Sequence, residues 1–316
     1  MENGWERTLP LVKINQDIIS RLFNNIVNYE NISNISLLDE GCRTTNYLVS
    51  SKNGNKYVLK IFFESDKSYK KDIALFNLIK KDIPVQEIYC VNNARCIDDR
   101  EYIIYKYIEG KTISQYIKEG NNVNRAVVAS VAHALGRVHN IKFKSMGSFD
   151  DNLNIKDELE PIYELYSKYI NDNVKMRLGA DSLDKIRKIV SRYEKTLLRL
   201  ENDSRLIHGD FQGTNIIIND DSVSGVIDWE FCMAGCPLMD IGQFFRYEEY
   251  FNSELINSFE REYRKICDYE LIDNWYEVSK ILDLISLLQL MGRDEDMPNK
   301  YMQIKDIIEL SIKKFY

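Results

Sequence analysis

The spacing of apolar residues changes from strand-like to helical near residue 110, and this change constrains the fold more than any other feature of the sequence. Short strand-like segments fill the first third, interrupted by one helical pattern over residues 67–81 that ends before Pro84. The strand-like segments are 35–38, 47–50, 56–63, 87–92 and 101–107. From Thr112 onward helical spacing dominates. The sequence therefore predicts a β-rich lobe followed by a larger helical lobe.

The helical part contains few strand signals. One apolar stripe runs from Val128 to Val138, and further helices are predicted over 157–171, 182–201, 253–267 and 275–291. Only 205–207, 216–218 and 223–227 have the character of strands. We therefore predict an α+β fold with two lobes, residues 1–107 and 108–316. A cleft between two lobes is a common place for a ligand.

Length and charge narrow the class of function. The 316 residues exceed the roughly 250 at which a single core stops growing, which also favours two lobes. The net charge of −7 argues against a nucleic-acid partner. The longest apolar stretch, residues 281–291, is too short to cross a bilayer, and the N-terminus has no signal-peptide pattern. Six cysteines without a Cys-x-x-Cys pair favour reduced thiols in a cytoplasmic protein that has no membrane partner.

The most informative segment is a loop followed by a predicted hairpin. The loop contains Asp210 and Asn215 in the sequence His-Gly-Asp-Phe-Gln-Gly-Thr-Asn, and Asp228 ends the second strand of the hairpin. A hairpin of this length brings Asp228 back beside the loop. Each residue alone could be a cap or a turn residue, but the spacing of all three is specific. Two carboxylates and one amide suit Mg²⁺, and one carboxylate could take a proton from a substrate hydroxyl.

At these residues the sequence resembles the aminoglycoside phosphotransferase and choline kinase superfamily. The resemblance covers roughly residues 35–245 and implies a protein-kinase-like bilobal fold, with a small antiparallel N-lobe and a mainly helical C-lobe. It implies that Asp210 is the catalytic base or orients the hydroxyl, and that Asn215 and Asp228 bind Mg²⁺. His208 and Asp240 would brace the loop. Glu230 would be a second metal contact or accept hydrogen bonds from the substrate.

A lysine of the N-terminal lobe fits the nucleotide site that this resemblance implies. Lys60 shares a strand face with Val58 and Phe62, so its charge is flanked by apolar side chains. Family lysines of this kind hold the α- and β-phosphates of the nucleotide and pair with a glutamate on the next helix. Here Asp72 stands at that position, one methylene shorter. Either Asp72 or Glu64 pairs with Lys60.

Two further segments complete the predicted nucleotide site. The turn of residues 39–49 would cover the phosphates with Gly41, Thr44 and Thr45, although it lacks the Gly-x-Gly-x-x-Gly of protein kinases. The connector from Lys106 to Ile108 would offer backbone hydrogen bonds to the purine. ATP and GTP are both compatible with these residues.

The acceptor is the least constrained part of the expectation. Acidic stretches such as 157–160 suit a cationic substrate, so an aminoglycoside-type antibiotic is favoured as the small-molecule hydroxyl substrate. Aromatic residues such as Tyr163 and Tyr247 could instead enclose the quaternary ammonium of choline. Ethanolamine or another metabolite, and a nucleotide-binding protein without catalysis, are the alternatives. A protein kinase is disfavoured because His-Gly-Asp and Asp-Trp-Glu replace its usual motifs. We expect a monomer or a weak homodimer.

Overall fold

The structure is a computed structural model, and it describes residues 4–24, 26, 31–38, 44–62, 69–97 and 100–316, with the backbone alone for 92–96. The first part is built on one antiparallel sheet of five strands in the order β1-β2-β3-β5-β4. The strands are β1 Ile32–Leu38, β2 Thr45–Ser51, β3 Lys56–Ile61, β4 Ile88–Ile97 and β5 Arg100–Lys106. Two helices accompany the sheet, α1 Gln16–Phe23 and α2 Tyr69–Ile79.

Strand β3 explains the position of Lys60. Its side chains alternate between the two faces of the sheet, because successive residues of a strand point to opposite sides. Leu59 and Ile61 pack with α1 in one hydrophobic cluster, while Val58 and Phe62 belong to another. The Lys60 ammonium lies 5.5 Å from the centre of the Phe62 ring. The predicted face of β3 is therefore confirmed.

The second part is mainly helical. Helix α4 packs along α9, and α8 packs along α10, with the largest hydrophobic cluster of the molecule between these elements. In the described residues, the helices lack the length and apolar character needed to cross a membrane. The helices are α3 Ile113–Lys118, α4 Arg125–His139, α5 Ile162–Tyr169, α6 Asp172–Leu178, α7 Ala180–Leu200, α8 Pro237–Phe244, α9 Ser253–Ile266, α10 Trp275–Met291 and α11 Pro298–Lys313.

Two small antiparallel sheets position the loops of the helical part. One sheet has the order β7-β10-β13-β8-β9 and the other the order β12-β11-β6. Their strands are β6 Lys111–Thr112, β7 Lys142–Phe143, β8 Gly147–Phe149, β9 Ile155–Glu158, β10 Ser204–Ile207, β11 Ile216–Asn219, β12 Ser222–Val226 and β13 Met233–Gly235. The hairpin predicted after the motif is confirmed, because β11 pairs with β12.

The structure corrects two predictions about the helical part. Residues 157–171 do not form one helix: Ile155–Glu158 is strand β9 paired with β8, and α5 begins only at Ile162. Pro161, which has no backbone N–H and favours the first turn of a helix, marks that start. The expectation of only three strands was also wrong, since β6, β7, β8, β9 and β13 add two- to four-residue strands. Strands this short carry no readable period.

An N-terminal segment joins the last helix to the first sheet. The Trp5 indole N–H donates to Gln303 Oε1 on α11 at 2.9 Å. Farther along, Arg7 Nη2 donates to the carbonyl oxygen of Thr44 at 2.9 Å, and the backbone N–H of Val12 donates to Thr45 Oγ1 at 3.0 Å. This segment therefore fixes the start of β2 relative to the helical part.

Candidate active site

The central loop of the site begins where strand β10 ends. Gly209 has φ of +79°, and a Cβ atom there would lie 2.3 Å from the carbonyl oxygen of Phe231. Only glycine combines that backbone angle with so close an approach. The packing of Gly209 on residue 231 holds the loop against the segment that follows β12. Asp210 comes directly after this fixed point.

The carboxylate of Asp210 is held on both sides by amide groups. Asn215 Nδ2 donates to Asp210 Oδ2 at 2.9 Å and also to the backbone oxygen of Asp210 at 2.9 Å. Gln212 Nε2 donates to Asp210 Oδ1 at 2.9 Å. The structure thus brings Asp210 and Asn215 together, as the motif spacing predicted. Gln212 is a site residue that the sequence analysis missed, since one glutamine in a polar loop carries no distinguishing pattern.

The hairpin returns Asp228 to the same place. The backbone N–H of Ile227 donates to the carbonyl oxygen of Asn215 at 2.9 Å, so the end of the hairpin is bonded to the loop. Asp228 follows with φ of +62°, a left-handed conformation that is uncommon for a residue with a side chain. Strain of this kind concentrates at functional sites. The Lys60 ammonium, on the other lobe, donates to Asp228 Oδ1 at 2.8 Å.

Burial and charge act in opposite directions on Lys60. The residue is only 9% exposed, and burial by itself disfavours the ammonium. The nearby anions, Asp228 above all, nevertheless raise the pKa of Lys60 above its usual value. The lysine therefore stays charged at the junction of the two lobes. A fixed buried cation of this kind is suited to binding phosphate oxygens.

Asp72 lies near the ion pair of Lys60 and Asp228. It lines a cavity of about 40 Å³ together with these two residues and Tyr105. Burial raises the pKa of the Asp72 carboxyl, and the charge of Lys60 only partly opposes that effect. The Lys60 ammonium is directed to Asp228 in this structure, and Glu64 lies outside the described residues. Which of the two acids pairs with Lys60 when a nucleotide is bound therefore stays a prediction.

A fully buried aspartate supports the loop from below. Asp240, on α8, accepts hydrogen bonds from the backbone N–H of His208 at 2.7 Å and of Gly209 at 2.9 Å. The His139 ring nitrogen Nε2 lies 3.3 Å from the same carboxylate. The ring of His208 itself contacts the carbonyl oxygen of Ile227 at 2.9 Å. Its Nδ1 accepts from the backbone N–H of Asp210 at 3.2 Å. Both residues that the resemblance named as braces therefore contact the loop backbone, while His139 had no sequence signal.

Gln243 forms a second clamp one turn along α8. Its Oε1 accepts from the backbone N–H of Phe211 at 2.7 Å, and its Nε2 donates to the backbone oxygen of Gly209 at 2.9 Å. The loop backbone is thereby fixed on both sides of Asp210. The sequence analysis did not identify Gln243 either, because its partners lie more than 30 residues away in the chain.

The connector between the lobes narrows the predicted purine contacts. The backbone N–H of Lys106 donates to the oxygen of Glu87 at 2.8 Å, and that of Tyr107 to Lys56 at 3.1 Å. The N–H groups of Lys106 and Tyr107 are therefore already bonded, so a purine could bond to carbonyl oxygens of the connector and to the N–H of Ile108. The side chain of Ile108 packs closely on Gly225: a Cβ atom added at residue 225 would lie 2.4 Å from Ile108 Cδ1. This contact fixes the connector against β12.

The predicted phosphate-covering turn is only partly described. Thr44 and Thr45 are buried, and the Thr45 hydroxyl accepts from the N-terminal segment. Gly41 lies outside the described residues. The role of all three residues in phosphate binding stays a prediction.

The sequence profile of the phosphotransferase enzyme family matches residues 34–275, which is more than half of the chain. The chain belongs to the phosphotransferase enzyme family. The matched range includes Lys60, the loop and the hairpin that ends at Asp228. The resemblance that the motifs indicated is therefore confirmed.

Solved structures of this phosphotransferase type have the same fold. A thermostable mutant of aminoglycoside phosphotransferase APH(4)-Ia, in ternary complex with ADP and hygromycin B, is 15% identical with a TM-score of 0.65, covering 94% of this chain and 97% of that chain. Choline kinase LicA from Streptococcus pneumoniae is 18% identical with a TM-score of 0.65, covering 95% and 99%. The expected α+β, kinase-like fold is confirmed.

One curated relative matches part of the chain. Acyl-CoA dehydrogenase family member 11 from Pongo abelii is 23% identical over 189 residues, which are 57% of this chain and 22% of that protein. The chain thus spans about a fifth of the length of the curated relative that it matches.

Proposed function

We propose that the protein transfers the γ-phosphoryl group of ATP or GTP to a hydroxyl of a small molecule, with an aminoglycoside-type antibiotic as the favoured acceptor. The observation that carries this proposal is the arrangement of Asp210, Asn215, Asp228 and Lys60 around one point between the lobes. The arrangement supplies a carboxylate beside a cation-binding pair and a buried ammonium. Those are the parts that phosphoryl transfer requires.

Asn215 and Asp228 have the oxygen atoms that Mg²⁺ prefers. Asn215 Nδ2 is held by Asp210, so Oδ1 is the atom of this amide that remains to bind a cation. Mg²⁺ is commonly bound by one or two carboxylates plus substrate phosphates rather than by a full protein cage, so two protein ligands are enough here. When bound, Mg²⁺ would neutralise charge on the phosphates.

Asp210 would orient the acceptor hydroxyl and take its proton. The hydroxyl oxygen forms a bond to the γ-phosphorus while the bond from that phosphorus to the bridging β-γ oxygen breaks. The nucleoside diphosphate leaves, and the hydroxyl proton passes to the Asp210 carboxylate. Lys60 would bind the α- and β-phosphates, exchanging its bond to Asp228 for bonds to phosphate oxygens. Asp72 would remain beside it as the nearby acid.

The choice of acceptor rests on weaker support than the chemistry. The net charge of −7 and acidic stretches such as 157–160 favour a cationic molecule, and a thermostable mutant of APH(4)-Ia was crystallised with hygromycin B. The choline kinase LicA has the same fold at an equal TM-score, which keeps choline and ethanolamine as the second candidates. A nucleotide-binding protein without catalysis is the third. The complete set of Lys60, Asp210, Asn215 and Asp228 argues against it.

A panel of acceptors distinguishes these candidates. The protein is incubated with MgATP or MgGTP and with hygromycin B, kanamycin, choline, ethanolamine or a simple sugar, and nucleoside diphosphate release and the phosphate ester are measured. We expect one cationic acceptor to be phosphorylated, and Asp210→Asn to slow that transfer by at least about 100-fold. Asp220→Asn is the matched control, because Asp220 is exposed at the tip of the β11–β12 hairpin. Nucleotide binding without any phosphate ester would support the non-catalytic alternative.

The cellular setting is a further part of the proposal. Four cysteines, Cys90, Cys232, Cys236 and Cys267, are free thiols. Reduced thiols are usual in the cytoplasm, where we place the protein. A monomer or weak homodimer stays the prediction for its assembly.

A further inference from the structure

A buried ion pair lies directly beneath the candidate active site. Arg246, two residues after the end of α8, is 2% exposed and forms two bonds with Asp283 of α10: Nε to Oδ2 at 3.0 Å and Nη2 to Oδ1 at 2.6 Å. Nη2 also donates to Ser286 Oγ at 2.8 Å. The remaining terminal nitrogen, Nη1, donates to Gln212 Oε1 at 3.3 Å. One arm of the guanidinium therefore reaches the loop that carries Asp210.

The chemistry of its two neighbours fixes the orientation of the Gln212 amide. A guanidinium has only donors and a carboxylate only acceptors, whereas an amide has one acceptor side and one donor side. With Oε1 toward Arg246, Nε2 donates to Asp210 Oδ1 at 2.9 Å. The flipped amide would place N–H groups against the guanidinium and an oxygen against the carboxylate. Arg246 thus determines which atom of Gln212 faces Asp210.

The position of this cation is hard to explain by stability alone. A buried ion pair is often no more stable than well-packed apolar residues of the same volume. Burial opposes the charge of Arg246, but Asp283 and, more weakly, Asp210 raise its pKa, so the guanidinium stays charged throughout the working pH range. The pair therefore provides a permanent, rigid donor at one fixed place. Among the hydrogen bonds of the described residues, Arg246 Nη1 reaches one residue of the loop, Gln212.

We propose that Arg246 is a positioning residue of the phosphotransfer site: through Gln212 it holds the Asp210 carboxylate in the rotation needed to receive the acceptor hydroxyl. This inference rests on the proposed function. It assigns to Arg246, Gln212 and Asp283 a role in the transfer step that is separate from nucleotide binding. Loss of the arginine contact would leave Lys60 and the metal-binding pair in place but release one side of Asp210.

The test measures kcat and KM for MgATP in Arg246→Lys and Gln212→Met, with the acceptor that the panel identifies. Arg246→Lys keeps a charge for Asp283 but loses the fixed arm to Gln212. We expect kcat to fall about tenfold or more in each variant, with KM for MgATP unchanged within about twofold. The double variant should be no slower than Gln212→Met, because both changes act through one path. Arg177→Lys is the control, since Arg177 lies on the ring of Tyr301, elsewhere in the helical part.

A second variant separates positioning from folding. Arg246→Met combined with Asp283→Leu removes both charges of the pair. The neighbouring buried Lys280 loses the field of Asp283 but keeps its ion pair with Glu248 at 3.2 Å, so the fold should be retained or stabilised. We expect its melting temperature to be at least that of the wild type and its kcat to fall as in Arg246→Lys. Wild-type kcat in this folded variant, or losses that multiply in the Arg246–Gln212 double variant, would overturn the proposal. A wild-type protein that neither binds MgATP nor transfers phosphate would overturn the proposed function itself.

Discussion

Replacing Asp240 by asparagine tests how strongly the buried brace holds the catalytic loop. Asp240 is fully buried, and its two oxygens accept from the backbone N–H groups of His208 and Gly209. An asparagine has the same shape but only one oxygen. If that oxygen stays on Gly209, the new NH₂ group faces the N–H of His208. At least one buried N–H then has no acceptor.

The magnitude follows from these two bonds. An unpaired buried N–H costs about 1–3 kcal/mol. The second bond changes from charge-assisted to neutral and loses about 1 kcal/mol more. Asp240→Asn should therefore lower the free energy of unfolding by about 2–4 kcal/mol. It should also lower kcat, since the displaced N–H groups flank Asp210.

The free energy of unfolding is measured by urea unfolding followed by circular dichroism, with Asp268→Asn measured in parallel as the control. Asp268 also pairs with cations, Arg205 and Lys142, but its side chain is 57% exposed. Its substitution should cost about 1 kcal/mol or less, because the exposed carboxylate is screened by solvent and the buried Arg205 keeps its ion pair with Asp203. Equal or smaller destabilisation by Asp240→Asn would refute the view that the buried carboxylate holds the loop.

Three further outcomes are expected. Lys60→Met should weaken MgATP binding about 10- to 100-fold, measured by titration calorimetry, because a charge-assisted contact to phosphate is lost. Lys56→Met, on the same strand, should leave the affinity unchanged. Equal affinities in the two variants would contradict the assignment of Lys60 to phosphate binding. Gly209→Ala should lower the free energy of unfolding in urea more than Gly179→Ala does. Both glycines have positive φ, but only a Cβ atom at residue 209 would lie 2.3 Å from a backbone oxygen. Equal losses of stability would contradict the packing argument. Burial raises the pKa of Cys232 to about 12, so iodoacetamide at pH 8 should alkylate it only after unfolding; rapid native alkylation would contradict its burial.

The residues that could be found from the sequence are those whose chemistry lies in a local pattern. Asp210, Asn215 and Asp228 occupy one loop and one hairpin, so their spacing alone predicts that they meet. Lys60 could be found because its strand neighbours are apolar. The division into a sheet and a helical part followed from the period of the apolar residues, because the strands and helices of both parts are long enough for that period to be recognised.

The residues that the sequence did not reveal act across the fold. Gln212, Gln243 and Arg246 matter through partners on other elements, and a polar residue in a loop or at a helix end has no period that marks it. His139 contacts Asp240, which is 101 residues away in the sequence. The helix predicted over 157–171 is helical only from Ile162 to Tyr169, and its early start had a different cause. The apolar spacing was extended back across Pro161, although proline favours the first turn of a helix and so indicates where the helix begins.

The central claim, that Asp210 takes part in transfer rather than in binding, is tested most directly in a single turnover. Wild type and Asp210→Asn are mixed with MgATP labelled at the γ-phosphate and the acceptor found in the panel, and the phosphate ester is quantified after rapid quenching. MgATP affinity is measured for both by calorimetry. We expect affinities within about threefold and transfer slowed by about 10²- to 10⁴-fold in the variant. Transfer at the wild-type rate in Asp210→Asn would contradict the account.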